Sequence, residues 1–195
     1  MSGAPVLDGQ SSPAGYRGIN RDITERKILE AELLYLAITD PLTGLYNRRG
    51  FVILTEQQFR MAARTNHPML LFFADMDRLK DINDRYGHEE GDRAIKEAAE
   101  ILRETFRGSD VIARVGGDEF AVLVINTAVL TPETIQERLE NQIEAHNRRP
   151  GRPYRISLSG GTAPYHPQSA ATVDALLTAA DQVMYANKRS RPRRD

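Results

Sequence analysis

Two acidic clusters carry the strongest chemical signal in this 195-residue chain. Asp75-Met76-Asp77 ends an apolar run that begins at Met69, and Asp118-Glu119 follows the glycine pair Gly116-Gly117. Hard divalent cations take oxygen ligands, and magnesium commonly uses one or two carboxylates and fills its shell with substrate phosphates. Glycines beside such a cluster let a phosphate or a nucleobase come close to the backbone. The same residues also have plain structural uses. Asp at a strand end caps the next element, and glycines followed by Asp make ordinary hairpin turns. On spacing alone both readings stand.

The clusters form one site only if their elements meet. Length and apolarity predict a buried strand over Met69 to Asp75. Val111 to Val115 and Phe120 to Ile125 read as two further strands, with Gly116-Gly117-Asp118-Glu119 as the hairpin between them. A strand end set beside that hairpin tip brings carboxylates from both within a few ångströms. Around these lie a turn at Asp40 to Gly44, a helix over Arg49 to Arg64, a polar short-helical stretch from Asp77 to Gly87, and an amphipathic helix marked by Ala94, Ala98, Leu102 and Phe106. Thr131-Pro132 opens another helix, Ile156 to Thr162 is strand-like, and Val173, Leu176, Leu177, Ala180 and Met184 mark a last helix. This order predicts an α+β fold, a mostly antiparallel sheet covered by helices. Residues 1–18 are rich in Gly, Ser and Pro, and only Tyr16 to Ile19 look strand-like. Asp22 and Glu25 have capping-box spacing for a helix running to about Ala37. Its stripe of Leu29, Leu33 and Leu36 suits a short two-helix seam or packing on its own domain.

Bulk composition narrows the classes. Apolar residues make up 41 % and charged residues 27 %, enough for a core and a soluble surface. A formal net charge of −1 argues against a nucleic-acid coat or a broadly basic membrane face. The charge is uneven: five basic side chains fall within Lys188 to Asp195. With no cysteine, disulfides, thiol catalysis and thiolate zinc sites are excluded. The longest apolar run, Met69 to Ala74, is far short of a membrane span, and the N-terminus has no apolar signal core, so a cytoplasmic protein is expected.

Arg114-Val-Gly-Gly-Asp-Glu-Phe120 resembles the signature of the GGDEF family, the diguanylate cyclases. Four more segments resemble the family in its order. They are Asp40-Pro-Leu-Thr-Gly-Leu-Tyr-Asn-Arg-Arg49, Asp75 to Asp84 with Tyr86 to Asp92, Ser159-Gly-Gly-Thr-Ala163, and Ala180 to Lys188. The likeness spans about residues 39 to 191. It implies a palm-like, ferredoxin-like nucleotide-cyclase fold with one GTP per protomer, and a homodimer that makes cyclic di-GMP. It implies magnesium, with manganese as a substitute, held by Asp75, the carbonyl of Met76 and Asp118. Glu119 completes the second ion's shell or helps to activate the attacking hydroxyl. Asn83 and Asp92 are implied in guanine recognition, Lys80 and Lys188 in pairing with the β- and γ-phosphates, and Gly116 and Gly117 in nucleotide approach. Arg114 steadies the signature loop or the phosphates. His88 lies near the nucleotide or caps the helix that follows. After Lys188 the chain departs from the family's Ser-Gly-Arg run, and Arg191 stands one position out of register as the phosphate arginine.

Arg107-Gly-Ser-Asp110, with Asp110 six positions before Gly116, resembles the family's RxxD site for inhibitory product. Arg138 is the matching candidate for a secondary arginine; the bland alternative is a surface pair around a glycine turn. Tyr16 to Lys27 resembles the exit of a PAS sensory domain. The division that follows is a PAS remnant or disordered lead over 1–21, a signalling linker helix over 22–38 and a GGDEF domain over 39–195. Three other readings stay in view: a module that binds GTP or cyclic di-GMP without catalysis, a related cyclase making a mixed or adenine-containing dinucleotide, against which Asp92 argues, and a purely structural dimerisation domain.

Overall fold

A computed structural model describes residues 2–7, 13–19, 22–125 and 131–190. The chain divides into two units, Met1–Tyr35 and Leu36–Asp195. In the first, β1 (Ser2–Leu7) pairs antiparallel with β2 (Pro13–Ile19), Ser2 opposite Ile19. Composition had suggested one short strand in a disordered lead. The partner strand was hidden because Gly and Pro interrupt its apolar residues.

Helix α1 runs over Thr24–Ile38, and Asp22 Oδ1 accepts the Thr24 backbone N–H at 2.9 Å. Leu29, Leu33 and Leu36 on it are 53 %, 67 % and 69 % exposed, so the apolar stripe is open to solvent in the single chain.

The second unit is built on one four-stranded sheet. Its strands are β3 (Met69–Met76), β4 (Val111–Arg114), β5 (Glu119–Val124) and β6 (Leu158–Tyr165), in the order β4-β5-β3-β6. All three pairings are antiparallel. Side chains alternate across a strand, and here both faces are covered. From β3, Leu70, Phe72, Ala74 and Met76 enter one core, while Leu71 and Phe73 enter the other. The first core is closed by α4 (His88–Thr105) and α5 (Pro132–Asn147), through Ala94, Ala98, Ile101, Leu102, Ile135 and Leu139. The second is closed by α2 (Arg48–Thr65) and α6 (Val173–Ser190), through Phe51, Ala62, Leu176, Ala180 and Met184. A short helix, α3 (Leu79–Tyr86), links β3 to α4. The predicted α+β class is what the chain adopts. Among the described residues no helix is long and apolar enough to cross a membrane.

Two boundaries differ from the sequence reading for local reasons. Helix α4 starts at His88, a turn and a half before its apolar stripe begins, directly after Gly87 at φ 89°. Strand β6 starts at Leu158 because the backbone just before it is already engaged. The side-chain amide of Asn147 donates to the Ile156 carbonyl and its oxygen accepts the Ile156 N–H, both at 2.8 Å.

Helix α6 lies unusually close to β6. A methyl group on Gly161 would overlap the α6 backbone at Ala180 and Met184, and the Asn187 amide donates to the Gly160 carbonyl at 3.0 Å. Gly161→Val therefore forces α6 off the sheet, and urea denaturation should show a loss of about 1–3 kcal/mol, the usual range for overpacking. Unchanged stability would mean that α6 can shift outward freely.

Candidate active site

Strand register brings the two acidic clusters together. Asp75 at the end of β3 stands opposite Glu119 at the start of β5, and the Met76 N–H donates to the Asp118 carbonyl at 2.9 Å. Asp75 also stands opposite Ser159 of β6, so it sits on the central strand with neighbours on both sides. The glycine tip is held from behind. Val115 and Gly116 donate to the Glu119 carbonyl at 2.9 and 3.3 Å. The Arg114 guanidinium donates to the Gly117 carbonyl at 3.1 and 2.7 Å and reaches Asp40 at 3.3 Å. Arg114 is thus bonded to the signature loop and to the turn before α2. Asp40 lies in the turn before α2, where its carboxylate also accepts from Thr43 N and Oγ1.

Crowding sets the electrostatics. Burial pushes the Asp75 carboxyl above its usual range, and Asp118 and Asp77 add to this against the opposing pull of Lys188. Burial likewise raises Glu119, reinforced by Asp118, Asp75 and Asp181 and opposed by Arg48. Burial alone would lower Lys188, but the Asp75 and Asp77 carboxylates outweigh it and hold the ammonium above its ordinary value. Its Nζ lies 2.5 Å from Asp75 Oδ1 and 3.2 Å from Asp77 Oδ1. A cleft of about 360 Å³ opens on the Glu119 side, lined in part by Arg48, Phe73, Asp174 and Asp181.

Among the described residues no three acidic or histidine side chains form a ready-made metal cage. The donors that do come together are carboxylates at a strand end and a hairpin tip, with Lys188 paired to the strand-end aspartates and Arg48 acting on Glu119. That set suits a hard cation that completes its shell with substrate phosphates rather than with protein.

The base-recognition candidates lie on α3 and α4. Asn83 is half-buried against the first turn of α4, and a methyl group on Gly91 would collide with its side-chain amide. Asp92 is exposed on the next position. Lys80 is exposed on the first turn of α3. His88 is exposed at the start of α4, where Gly87 and not the histidine takes the N-cap position. Lys188 is drawn to carboxylates here because they are the anions in its reach. Arg191 lies outside the described residues.

At the other end of the hairpin, Asp110 is buried and each of its oxygens accepts a backbone N–H. Its Oδ2 accepts the Arg107 N–H at 3.0 Å and its Oδ1 accepts the Ile125 N–H at 3.2 Å. Asp110 thus clips the turn to the far end of β5, while the Arg107 side chain is exposed; Arg138 is exposed on α5. The sequence reading gave no part to Asp40, Gly91 or the Asp77 pair with Ser157 and Ser159. The two aspartates and the glycine lie inside the motif segments already quoted, which was the available signal.

Comparison with known proteins follows the same lines. Residues 37–194 match the family model described as diguanylate cyclase, GGDEF domain. Diguanylate cyclase DgcP of Pseudomonas aeruginosa is 38 % identical over 157 residues, covering 79 % of this chain and 23 % of that protein. Among solved structures, the coiled coil and GGDEF domain of DgcB from Caulobacter crescentus, in complex with c-di-GMP, superposes with a TM-score of 0.73 at 27 % identity, covering 85 % of this chain and 87 % of that one. The GGDEF domain of Pseudomonas aeruginosa PA1120 gives 0.66 at 39 % identity, over 78 % and 90 %. The chain spans less than half the length of the curated relatives it matches. With its signature hairpin, its strand-end aspartate and this matching model over most of its length, the chain belongs to the GGDEF-domain diguanylate cyclase family.

Proposed function

We propose that this chain condenses two molecules of GTP into cyclic di-GMP with release of two pyrophosphates, as a magnesium-dependent homodimer restrained by its own product. The observation that carries this reading is the register that sets Asp75 against Glu119 with Asp118 bonded to Met76. In each of two steps, the 3′-oxygen of one GTP bonds to the α-phosphorus of the other. The bond from that phosphorus to the bridging oxygen breaks, and the 3′-proton is lost. Asp75, the Met76 carbonyl and Asp118 would hold magnesium, or manganese in its place, and Glu119 would share a second ion or assist in removing the proton. When bound, the metal would neutralise charge on the transferred and leaving phosphates.

Asn83 and Asp92 present an acceptor-rich edge, and guanine offers N1–H and an exocyclic amine where adenine has no matching donors. The wrong base would leave the carboxylate unpaired. Lys80 on α3, Lys188 on α6 and Arg191 are assigned to the phosphates. Gly116 and Gly117 would let a nucleotide approach the tip, and His88 is assigned a place near that nucleotide. One GTP per protomer means that ring closure needs two copies. The open Leu29, Leu33 and Leu36 stripe on α1 supports pairing through that helix. Tyr16 to Lys27 fits the exit of a PAS domain, so residues 1–21 are assigned to a sensory remnant, 22–38 to a signalling linker and 39–195 to the cyclase. Arg107 and Asp110, with Arg138 as secondary arginine, are assigned to bind cyclic di-GMP, the arginine gripping guanine edges and phosphates and the aspartate accepting from guanine.

Incubation with GTP and magnesium at several protein concentrations, read by chromatography and mass, should give cyclic di-GMP rising more than linearly with protein. Asp118→Ala should reduce it by more than the roughly ten- to hundredfold typical of losing an outer-shell partner of a metal ligand; near-normal turnover would refute the metal assignment. Gly91→Ala displaces Asn83 and should raise the GTP concentration needed for half-maximal rate by about tenfold while leaving the fold intact. An unmoved value would separate Asn83 from base recognition. Arg107→Ala should raise the final yield of cyclic di-GMP, whereas an inhibition curve identical to the parent's would remove the product site.

A further inference from the structure

Asp77 has no part in the reaction as assigned, yet it is among the most firmly held side chains near the cluster. Ser157 Oγ donates to its Oδ2 at 2.7 Å and Ser159 Oγ donates to its Oδ1 at 2.8 Å. Its own N–H donates to the Ser157 carbonyl at 3.0 Å. Ser159 is 2 % exposed, and the Asp77 side chain is 17 % exposed. The carboxylate is therefore fixed from one side by two hydroxyls from the start of β6, and it turns Oδ1 to Lys188. Lys188 is anchored at its base as well, because the neighbouring Asn187 is bonded to β6 and α6 lies against Gly161.

Lys188 shares its ammonium between Asp75 and Asp77. Asp75 is the residue to which the proposed function gives a divalent cation, and that cation would repel an ammonium at such short range. Losing Asp75 as a partner would free a long, strongly hydrated side chain to leave for solvent. A fixed anion beside the cluster prevents this. We propose that Asp77 is a positioning residue. Locked by Ser157 and Ser159, it retains the Lys188 ammonium at the edge of the acidic cluster, where it meets the triphosphate of an incoming nucleotide. This inference rests on the assignment of the cluster as a guanine-nucleotide site, and it adds the residue that steers its lysine.

The test measures binding by calorimetry, with magnesium present, of 3′-deoxy-GTP, which lacks the attacking hydroxyl, and of GMP, which lacks the outer phosphates. Asp77→Asn keeps the shape and the hydrogen-bonding partners for both serines but removes the charge. It should weaken 3′-deoxy-GTP by about tenfold and leave GMP within about twofold. Lys188→Ala should show the same pattern, and the double variant should lose nothing further, because both changes remove one contact. Ser157→Ala with Ser159→Ala should give a smaller loss with the same selectivity, and it carries the test if Asp77→Asn does not fold. Equal weakening of both nucleotides, or losses that multiply in the double variant, would overturn the positioning role. If Lys188→Ala weakens the triphosphate alone and Asp77→Asn does not, the cyclase assignment stands and Asp77 is merely structural. If the parent chain binds neither nucleotide, the assignment beneath the inference fails with it.

Discussion

The pairing of β3 with β5 is the constraint on which the rest depends. Six residue pairs, from Leu70 with Val124 to Asp75 with Glu119, set where the strand end meets the hairpin tip. A slip by one residue would turn every β3 side chain to the opposite face. Phe72 and Phe73 make that slip costly, since each fills a different core and both are nearly fully buried. The position of Asp75 relative to Glu119 is thus specified by apolar packing some residues away. Polar groups at the tip gain their geometry from a core that they do not join.

That geometry gathers like charges, and the protein carries the consequence. Asp75 and Glu119 bind their protons more tightly in the fold than in the open chain, mainly through burial. For a carboxyl raised in this way, folding stability is greater when it is protonated and falls as pH rises through the raised value. Lys188 acts in the opposite sense over a different range. Its raised value contributes stability that is present below the unfolded lysine value and is lost as pH climbs through the folded one. Near neutrality the ionised Asp75 and Glu119 therefore oppose folding, and the Lys188 ammonium acts against them.

Much of this was legible in the chain itself. Apolar runs gave β3 and β5, periodicity gave α4 and α6, and the glycine signature placed the hairpin and its acids. What sequence could not display were pairs joined across long separations. Arg114 meets Asp40 across 74 positions, and Asp77 meets Ser157 and Ser159 across 80 and 82. Nothing local to Asp110 shows that both its oxygens are spent on backbone, because one of those partners, Ile125, lies across a hairpin. Local rules also fixed element ends poorly wherever a distant side chain competed for the backbone, as Asn147 does at Ile156.

The segment between α5 and β6 shows how such distant pairs combine. Asn147 holds Ile156, the Tyr86 hydroxyl donates to the Pro153 carbonyl at 2.7 Å, and the Tyr154 hydroxyl reaches Glu90 at 3.1 Å. The Tyr154 phenol is pushed up to about 12 by burial and by the nearby Glu97 and Glu90 carboxylates, so it remains a donor throughout the working range. Arg152 pairs with Glu97 at 2.5 Å, and buried His146 lies 3.4 Å from the same carboxylate. The next residues in line are Ser157 and Ser159, which grip Asp77. One loop therefore fixes the α3–α4 pair that carries Asn83 and Asp92, and it ends in the hydroxyls that hold Asp77. Asn83 and Asp92 on one side, and Asp77 with its partner Lys188 on the other, are thus tied to a single run of chain, so a change within that run acts on both groups together.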